Sequence, residues 1–327
     1  MFNVFVSRQL PGNALDKLRS SCNVTVYPED RNITKEELLK AVKDQDAVIT
    51  MLSDPVDEDV IAEGNRLQVI ANYAVGFNNI NVQAATNRGI KVVNTPDVLT
   101  NASADLAWSL LMCTARRVVE GDQLTRTGQF KGWEPELLLG VEIHGKTLGI
   151  IGAGRIGQAV AKRALGFGMT TLYHNRNQLP DSVEKECNMR YADLETLLTT
   201  ADFVTLHCPL TPETKHLIGE RELQLMKPTA VLVNTARGPV VDEKALVQAL
   251  KDGVIYGAGL DVFENEPALT PGLSELSNVV LTPHIASAGM ETRMRMVDMV
   301  VNDVLAVLQG KRPQNLVNPE IYFKEEM

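Results

Sequence analysis

The sequence predicts an α/β protein made of two doubly wound parallel-sheet domains, and three observations carry that expectation. Short β-rich runs alternate with amphipathic helical stretches almost to the C-terminus, the pattern of parallel sheets flanked by helices. At 327 residues the chain is long for one hydrophobic core, which favours two domains. The alternation also comes in two series, one closing near residue 93 and one opening near residue 147. There is no low-complexity segment and no short-period repeat, so a solenoid is excluded.

In chain order, residues 3–6, 23–27, 47–50, 69–72 and 91–93 read as strands, separated by amphipathic segments such as 35–42. Residues 101–119 then carry Leu106, Leu110 and Cys113 at helical spacing, with Ala107 and Leu111 beside them. Asn94-Thr95-Pro96 before this stretch and Gly121 after it are expected to bracket one helix. In the second series, 147–151, 171–174, 203–207, 230–234, 255–260 and 279–282 are candidate strands. A last helix over 290–308 should stop at Gly310 and Pro313.

Composition narrows the function. With 41 acidic and 32 basic residues the formal net charge is -9, which argues against a nucleic-acid footprint or an anionic membrane surface. The N-terminus MFNVFVSRQL lacks a basic leader before an apolar core, and no run is long enough to cross a bilayer, so a cytoplasmic protein is expected. Cys22, Cys113, Cys187 and Cys208 are scattered without CxxC pairing. Buried free thiols are therefore expected, with neither a disulfide framework nor a metal site.

The most informative stretch is KTLGIIGAGRIG, residues 146–157, where an apolar strand enters a glycine-spaced turn that opens onto a helix. Gly152 permits the tight turn, Gly154 lets the backbone approach a pyrophosphate, and Gly157 lets helix and strand pack closely. The phosphates would sit on N–H groups at the helix N-terminus, which makes this a dinucleotide site.

Function in such sheets sits at strand ends. Beyond three consecutive candidate strands lie NTARG at 234–238, GLDVFENEP at 259–267 and TPHIAS at 282–287, which bring Arg237, Glu266 and His284 to one edge. Hydride addition to a carbonyl needs a cation that polarises the oxygen and orients a carboxylate, and an acid that protonates the forming alkoxide. A guanidinium, forked and always charged, supplies the first. His284 supplies the second, and Glu266 beside it would stabilise the imidazolium.

These motifs resemble the D-isomer-specific 2-hydroxyacid dehydrogenase family over nearly the whole chain. TMLSDPVD at 50–57, NYAVGFNNI at 72–80, NTPDVLT at 94–100 and YHNR at 173–176 are most similar to its glyoxylate and hydroxypyruvate reductases. The resemblance implies a Rossmann cofactor domain, residues 101–286, inserted in a flavodoxin-like substrate domain formed by 1–100 and 287–327. It implies Arg237, Glu266 and His284 as the catalytic trio. Arg237 and the backbone of Val75 and Gly76 would receive the substrate carboxylate, and Leu52 and Ser53 would line a small-acid pocket.

On the cofactor side the resemblance carries Arg155, Ile156 and Gly157 to the pyrophosphate and His207, Cys208 and Pro209 to the adenosine. It carries Thr235 and Ala236 to the nicotinamide riboside region and Asp261 to the carboxamide, with Ala286 also at the cofactor. Residues 101–143 resemble the family's dimerisation region, with 128–135 as a projecting arm. Trp133 on that arm is either an interface anchor or an aromatic that reaches the partner's substrate site, and a homodimer follows. Phe77-Asn78-Asn79 departs from the acidic residues that family members often show there.

Cofactor choice can be argued from the end of the second strand of the cofactor domain. NAD enzymes of this fold usually place an acid there for the ribose hydroxyls, whereas NADP needs positive charge for the 2′-phosphate. Here the segment is His174-Asn175-Arg176-Asn177-Gln178, with no acid before Asp181. NADPH is favoured, with Arg176 as clamp and Asn177 and Gln178 beside it, while NADH stays possible because relatives preferring NADPH commonly carry a second basic residue where Gln178 stands. The activity expected is reduction of a small 2-keto acid to the D-2-hydroxy acid. D-3-phosphoglycerate dehydrogenase, D-lactate dehydrogenase and a dinucleotide-sensing protein like the C-terminal-binding corepressors remain as alternatives.

Overall fold

Five strands make the first sheet: β1 (Phe2–Val6), β2 (Cys22–Val26), β3 (Ala47–Thr50), β4 (Val69–Asn72) and β5 (Lys91–Val93). They run parallel in the order β2-β1-β3-β4-β5, the flavodoxin-like arrangement. Every residue of β3 and β4 is buried, as expected for central parallel strands covered on both faces. The computed structural model describes residues 1–322.

Seven strands make the second sheet: β6 (Thr147–Ile151), β7 (Thr170–His174), β8 (Met189–Tyr191), β9 (Phe203–Leu206), β10 (Val231–Asn234), β11 (Gly257–Leu260) and β12 (Val279–Leu281). Their order is β12-β11-β10-β9-β6-β7-β8, a Rossmann sheet extended by one edge strand. The strand order reverses between β6 and β9, so the glycine turn that leaves β6 lies where such sheets bind ligands.

The chain divides into two units, one made of residues 1–99 with the segment from Ser287 onward and one made of Thr100–Ala286. The helix Met290–Leu308 belongs to the first unit, where it buries Met296, Val297, Val300, Val301 and Val304. It ends before Gly310, whose φ of 72° suits glycine. Beyond it, the fully buried Asn318 accepts the Val92 N–H and donates to Thr86 Oγ1 and the Ile90 carbonyl, which ties this segment to the β5 edge.

Two expectations need correction. The single helix over 101–119 is two helices, Thr100–Ala115 and Val118–Arg126, separated at Arg117, whose φ is 52°. Gly121 lies inside the second helix rather than ending the first. The cause is tertiary: the Val141 N–H takes the Ala115 carbonyl at 2.9 Å, and Gly140 packs so closely there that a Cβ would stand 2.2 Å from that oxygen. Strand β8 was not anticipated, because three residues at a sheet edge carry no periodic signal.

All four thiols are free. Cys22 and Cys187 are buried, whereas Cys113 and Cys208 are only partly so. Among the described residues, no helix is long and apolar enough to cross a membrane, and no group of three or more His, Cys, Asp or Glu could hold a metal.

Candidate active site

The ends of β10, β11 and β12 build one constellation. After β10, Asn234 folds the chain back on itself: its Oδ1 accepts the Ala236 N–H and its Nδ2 donates to the Arg237 carbonyl, each at 3.0 Å. Gly238 then packs against the peptide joining Phe263 and Glu264, where a Cβ would lie 1.9 Å from a backbone carbon. Only glycine allows that approach, and it seats the Arg237 loop on the Glu266 loop. Burial lowers the Arg237 pKa from its usual value, and the Glu266 charge partly offsets this.

Glu266 Oε1 accepts the Phe263 N–H at 3.0 Å, and Oε2 lies 2.8 Å from His284 Nδ1. Burial pushes the Glu266 carboxyl up, but the hydrogen bond and charge of His284 outweigh it, so the group sits below the usual glutamate range. His284 has a φ of 54°, uncommon for a non-glycine residue. Asp261 at the end of β11 holds this conformation. Its carbonyl accepts the His284 N–H, its Oδ1 accepts the Thr282 hydroxyl and the Ile285 N–H, and its Oδ2 accepts the Ala286 N–H.

Arg237, Glu266 and His284 are therefore brought together at one sheet edge. The side chains of His284 and Glu266 remain 32% and 35% exposed, which leaves the imidazole open to proton exchange with solvent. The His284 Nδ1–H can donate to Glu266, which leaves Nε2 as the ring nitrogen outside that bond. Asp261 and Ala286 turn out to be engaged with one another. Asp261 is fully buried, and its visible work is to hold the His284 loop.

The three glycines of the β6 turn divide their roles. Gly152 has a φ of 96°, and a Cβ on it would stand 2.4 Å from Cys208 N, so the His207-Cys208-Pro209 segment lies directly against the turn. A Cβ on Gly157 would meet the Gly152 carbonyl at 2.4 Å, whereas one on Gly154 would meet nothing within 4 Å. The N-cap Gly154 of the helix Arg155–Leu165 has no side chain to cap it, and the first turn of that helix begins at Arg155, Ile156 and Gly157. Among the described residues, Thr235 Oγ1, beside Ala236 in sequence, is buried and meets no hydrogen-bond partner. An uncapped helix N-terminus over an open glycine, together with an orphaned hydroxyl at the end of β10, fits a dinucleotide with its diphosphate on the helix and its polar ribose near Thr235.

The polar groups after β7 are less uniform. Asn175 Oδ1 accepts the Ala153 N–H at 2.8 Å and so ties this strand end to the glycine turn. Arg176 and Asn177 are exposed, but the Gln178 amide is turned toward Glu184, 3.0 Å away, rather than toward the strand end. Burial pushes His207 down to about 4, and its Nε2 lies 2.9 Å from Thr205 Oγ1, so this imidazole is a neutral fixture. Burial pushes the Cys208 thiol up to about 11, which removes it from nucleophilic chemistry.

In the first unit, the loops after β3 and β4 are held by buried polar side chains that sequence reasoning did not single out. Asn72 donates to the Gly76 carbonyl and Asn94 to the Val75 carbonyl, each at 2.7 Å. Among the described residues, neither the Val75 nor the Gly76 N–H meets an acceptor. Asp54 accepts the Met51 N–H at 2.7 Å and the Ser7 hydroxyl, while Asn79 donates to the Met51 and Asp54 carbonyls. Leu52 is half-buried and Ser53 exposed at the tip of the loop so formed. Asn79, the departure noted in the sequence, is thus a bracket between the two loops. The signal available was the placement of Asn and Asp just after strand ends, where side chains bond turn backbones.

Two doubly wound sheets, an open glycine turn at the reversal of one of them, and an Arg–Glu–His set at its carboxyl edge define a nicotinamide-dependent oxidoreductase. Residues 108–286 match the family described as D-isomer specific 2-hydroxyacid dehydrogenase, NAD binding domain. The chain belongs to the D-isomer-specific 2-hydroxyacid dehydrogenase family and is an NAD(P)-dependent enzyme. It is 53% identical to the glyoxylate reductase of Thermococcus gammatolerans over 322 residues, which cover 97% of this chain and 96% of that one. The glyoxylate reductase of Pyrococcus furiosus is 52% identical with the same coverage. Among solved structures, a Thermus thermophilus protein superposes with a TM-score of 0.91 at 49% identity, covering 96% of this chain and 99% of that one. The NADPH-dependent glyoxylate/hydroxypyruvate reductase of Sinorhizobium meliloti, in complex with NADP and malonate, superposes with a TM-score of 0.84 at 32% identity, covering 96% of each chain.

Proposed function

We propose that this protein reduces glyoxylate to glycolate and hydroxypyruvate to D-glycerate, with NADPH preferred over NADH and His284 as the general acid. The observation that carries the reading is the 2.8 Å pair of His284 Nδ1 and Glu266 Oε2 beside the half-buried Arg237. The names of the relatives support glyoxylate as substrate.

The dinucleotide, when bound, supplies a hydride for the keto carbon. Arg237 binds the substrate carboxylate and polarises the keto oxygen with its forked donors; partial burial strengthens that interaction. In the first unit, the N–H groups of Val75 and Gly76 are the donors offered to a substrate carboxylate, with Leu52 and Ser53 as the residues for the small substituent. His284 gives the Nε2 proton to the oxygen as charge develops there, while Glu266 keeps the ring oriented and stabilises its charged form. The neutral imidazole then regains a proton from solvent. Gly154, Arg155, Ile156 and Gly157 hold the diphosphate, Thr235 and Ala236 the ribose, and Arg176 with Asn177 the 2′-phosphate. His207, Cys208 and Pro209 line the adenosine side.

The same reading includes a homodimer formed through residues 101–143. In that segment Trp133 is 84% exposed, and Phe130 and Leu139 are exposed as well, apolar surface that a second copy of the chain would cover. The test is steady-state oxidation of NADPH and NADH with glyoxylate, hydroxypyruvate, pyruvate and 3-phosphohydroxypyruvate. Turnover led by the first two acids with NADPH is expected. No turnover on any of the four, with cofactor binding intact, would overturn the proposal.

A further inference from the structure

Glu266 belongs to a loop with few anchors of its own. Residues 265–269 are all exposed, and the main-chain bond within them, from the Ala268 N–H to the Asn265 carbonyl, ties the loop only to itself. Both ends of the loop meet one buried carboxylate. Glu243, 2% exposed, accepts the Glu264 N–H on Oε1 and the Thr270 hydroxyl on Oε2, each at 2.6 Å. It is the first residue of the helix Glu243–Lys251, whose N-cap Asp242 accepts the N–H groups of Lys244 and Ala245, so its charge faces the positive end of the helix. Two further contacts close the frame at Glu264: Gly238 packs on its peptide, and His216 Nε2 lies 2.6 Å from its Oε1.

From this geometry we infer that Glu243 is a positioning residue for the acid–base pair, a bridge that holds both ends of the Glu266 loop and so aims Glu266 at His284. The inference rests on the acid–base reading above, but its geometric content does not depend on the identity of the substrate. Neither oxygen of Glu243 reaches the reacting atoms; its effect passes through the Glu264 peptide and Thr270. Removing it frees the two ends of an exposed loop, and an unanchored carboxylate spends less time against the imidazole.

The experiment compares wild type, Glu243→Ala, Glu243→Gln and Thr270→Val by NMR titration of the histidine rings. The chain has five histidines, and His284→Ala assigns the resonance of interest. In Glu243→Ala the His284 midpoint should move to lower pH, because an imidazolium that loses its carboxylate gives up its proton more readily. Its kcat should fall about 10- to 100-fold while NADPH binding, read by cofactor fluorescence, stays unchanged. Glu243→Gln keeps an acceptor for the Glu264 N–H and should restore most of both readouts. Thr270→Val removes one anchor from a partly exposed site and should shift the midpoint in the same direction by less, which serves if the alanine variant does not fold. A lowered Tm with the midpoint and kcat of wild type would overturn the inference. Wild type without keto-acid turnover would sink the catalytic reading alone, since the titration reports positioning whether or not turnover occurs.

Discussion

Both units carry their candidate site residues on loops at the carboxyl ends of parallel strands, yet they present different chemistry. The second unit offers ionisable side chains, Arg237, Glu266 and His284, whose loops are held at the main chain by Asn234, Glu243 and Asp261. The first unit offers main-chain N–H groups at Val75 and Gly76, whose peptides are held at their carbonyls, that of Ala74 by the Thr95 N–H and that of Val75 by Asn94. Charges sit at the tips of rotatable side chains and must be aimed, so they require buried polar supports. A backbone dipole is aimed once its own carbonyl is bonded.

The largest effect that would test this division is His284→Ala, which should lower reduction of glyoxylate by about 10²- to 10⁴-fold while NADPH still binds. Comparable loss of binding and turnover would deny the residue its assigned role. Next, Arg237→Lys keeps the charge and loses the fork, and kcat/KM should fall by about 10²-fold. A variant as active as wild type would mean that charge alone is needed there.

On the first unit the expected signature differs. Asn94→Ala should raise KM for the keto acid about tenfold with kcat nearly unchanged, because loosening the Val75–Gly76 peptide turns the Gly76 N–H and weakens carboxylate binding without touching the proton donor. A fall in kcat at constant KM would break the proposed division of labour. Arg176→Ala should weaken NADPH about tenfold and leave NADH as it was, measured by fluorescence titration. Equal weakening of both would remove the 2′-phosphate clamp.

The smallest effect concerns stability. His207 is held near 4 in the folded protein against 6.5 for the free group, so the unfolded chain binds more protons between those values. Its contribution to stability is therefore complete above pH 6.5 and is lost as pH falls from there toward 4. In His207→Gln the acid-side loss of unfolding free energy over that window should shrink by on the order of 1 to 2 kcal/mol, a figure reduced for the residue's partial exposure, and Tm should decline less steeply there. An unchanged decline would show that the imidazole is better solvated than its surroundings indicate.

How much of this was legible beforehand differs by residue. The glycine turn was, since three positions each face a distinct steric demand, and Gly152, Gly154 and Gly157 meet open space or backbone as those demands require. Every strand but β8 was, because buried parallel strands are short apolar runs, and the meeting of Arg237, Glu266 and His284 at one edge was, because they follow three such runs. The Arg117 break was not, since it comes from Gly140 and Val141 arriving at Ala115 from a distant part of the sequence. Gln178 was read as facing the cofactor, but Glu184 on the following helix claims its amide. Glu243 looked like an ordinary first-turn acid of a helix, and nothing local distinguishes such an acid from one that bridges the loop of Glu264 and Thr270.

The sequence by itself therefore determined the α/β class, the order of the strands other than β8, the dinucleotide turn and the residue types at the edge where Arg237, Glu266 and His284 meet. Each of these is written in local spacing, whether in steps of two, steps near four, or glycines at fixed intervals. Tertiary structure alone decided where the long helix breaks, which Asn and Asp side chains hold the site loops, and that one buried glutamate spans the Glu266 loop. Those outcomes depend on groups far apart in the chain meeting in a dry interior, where a polar atom takes whichever partner the packing brings to it.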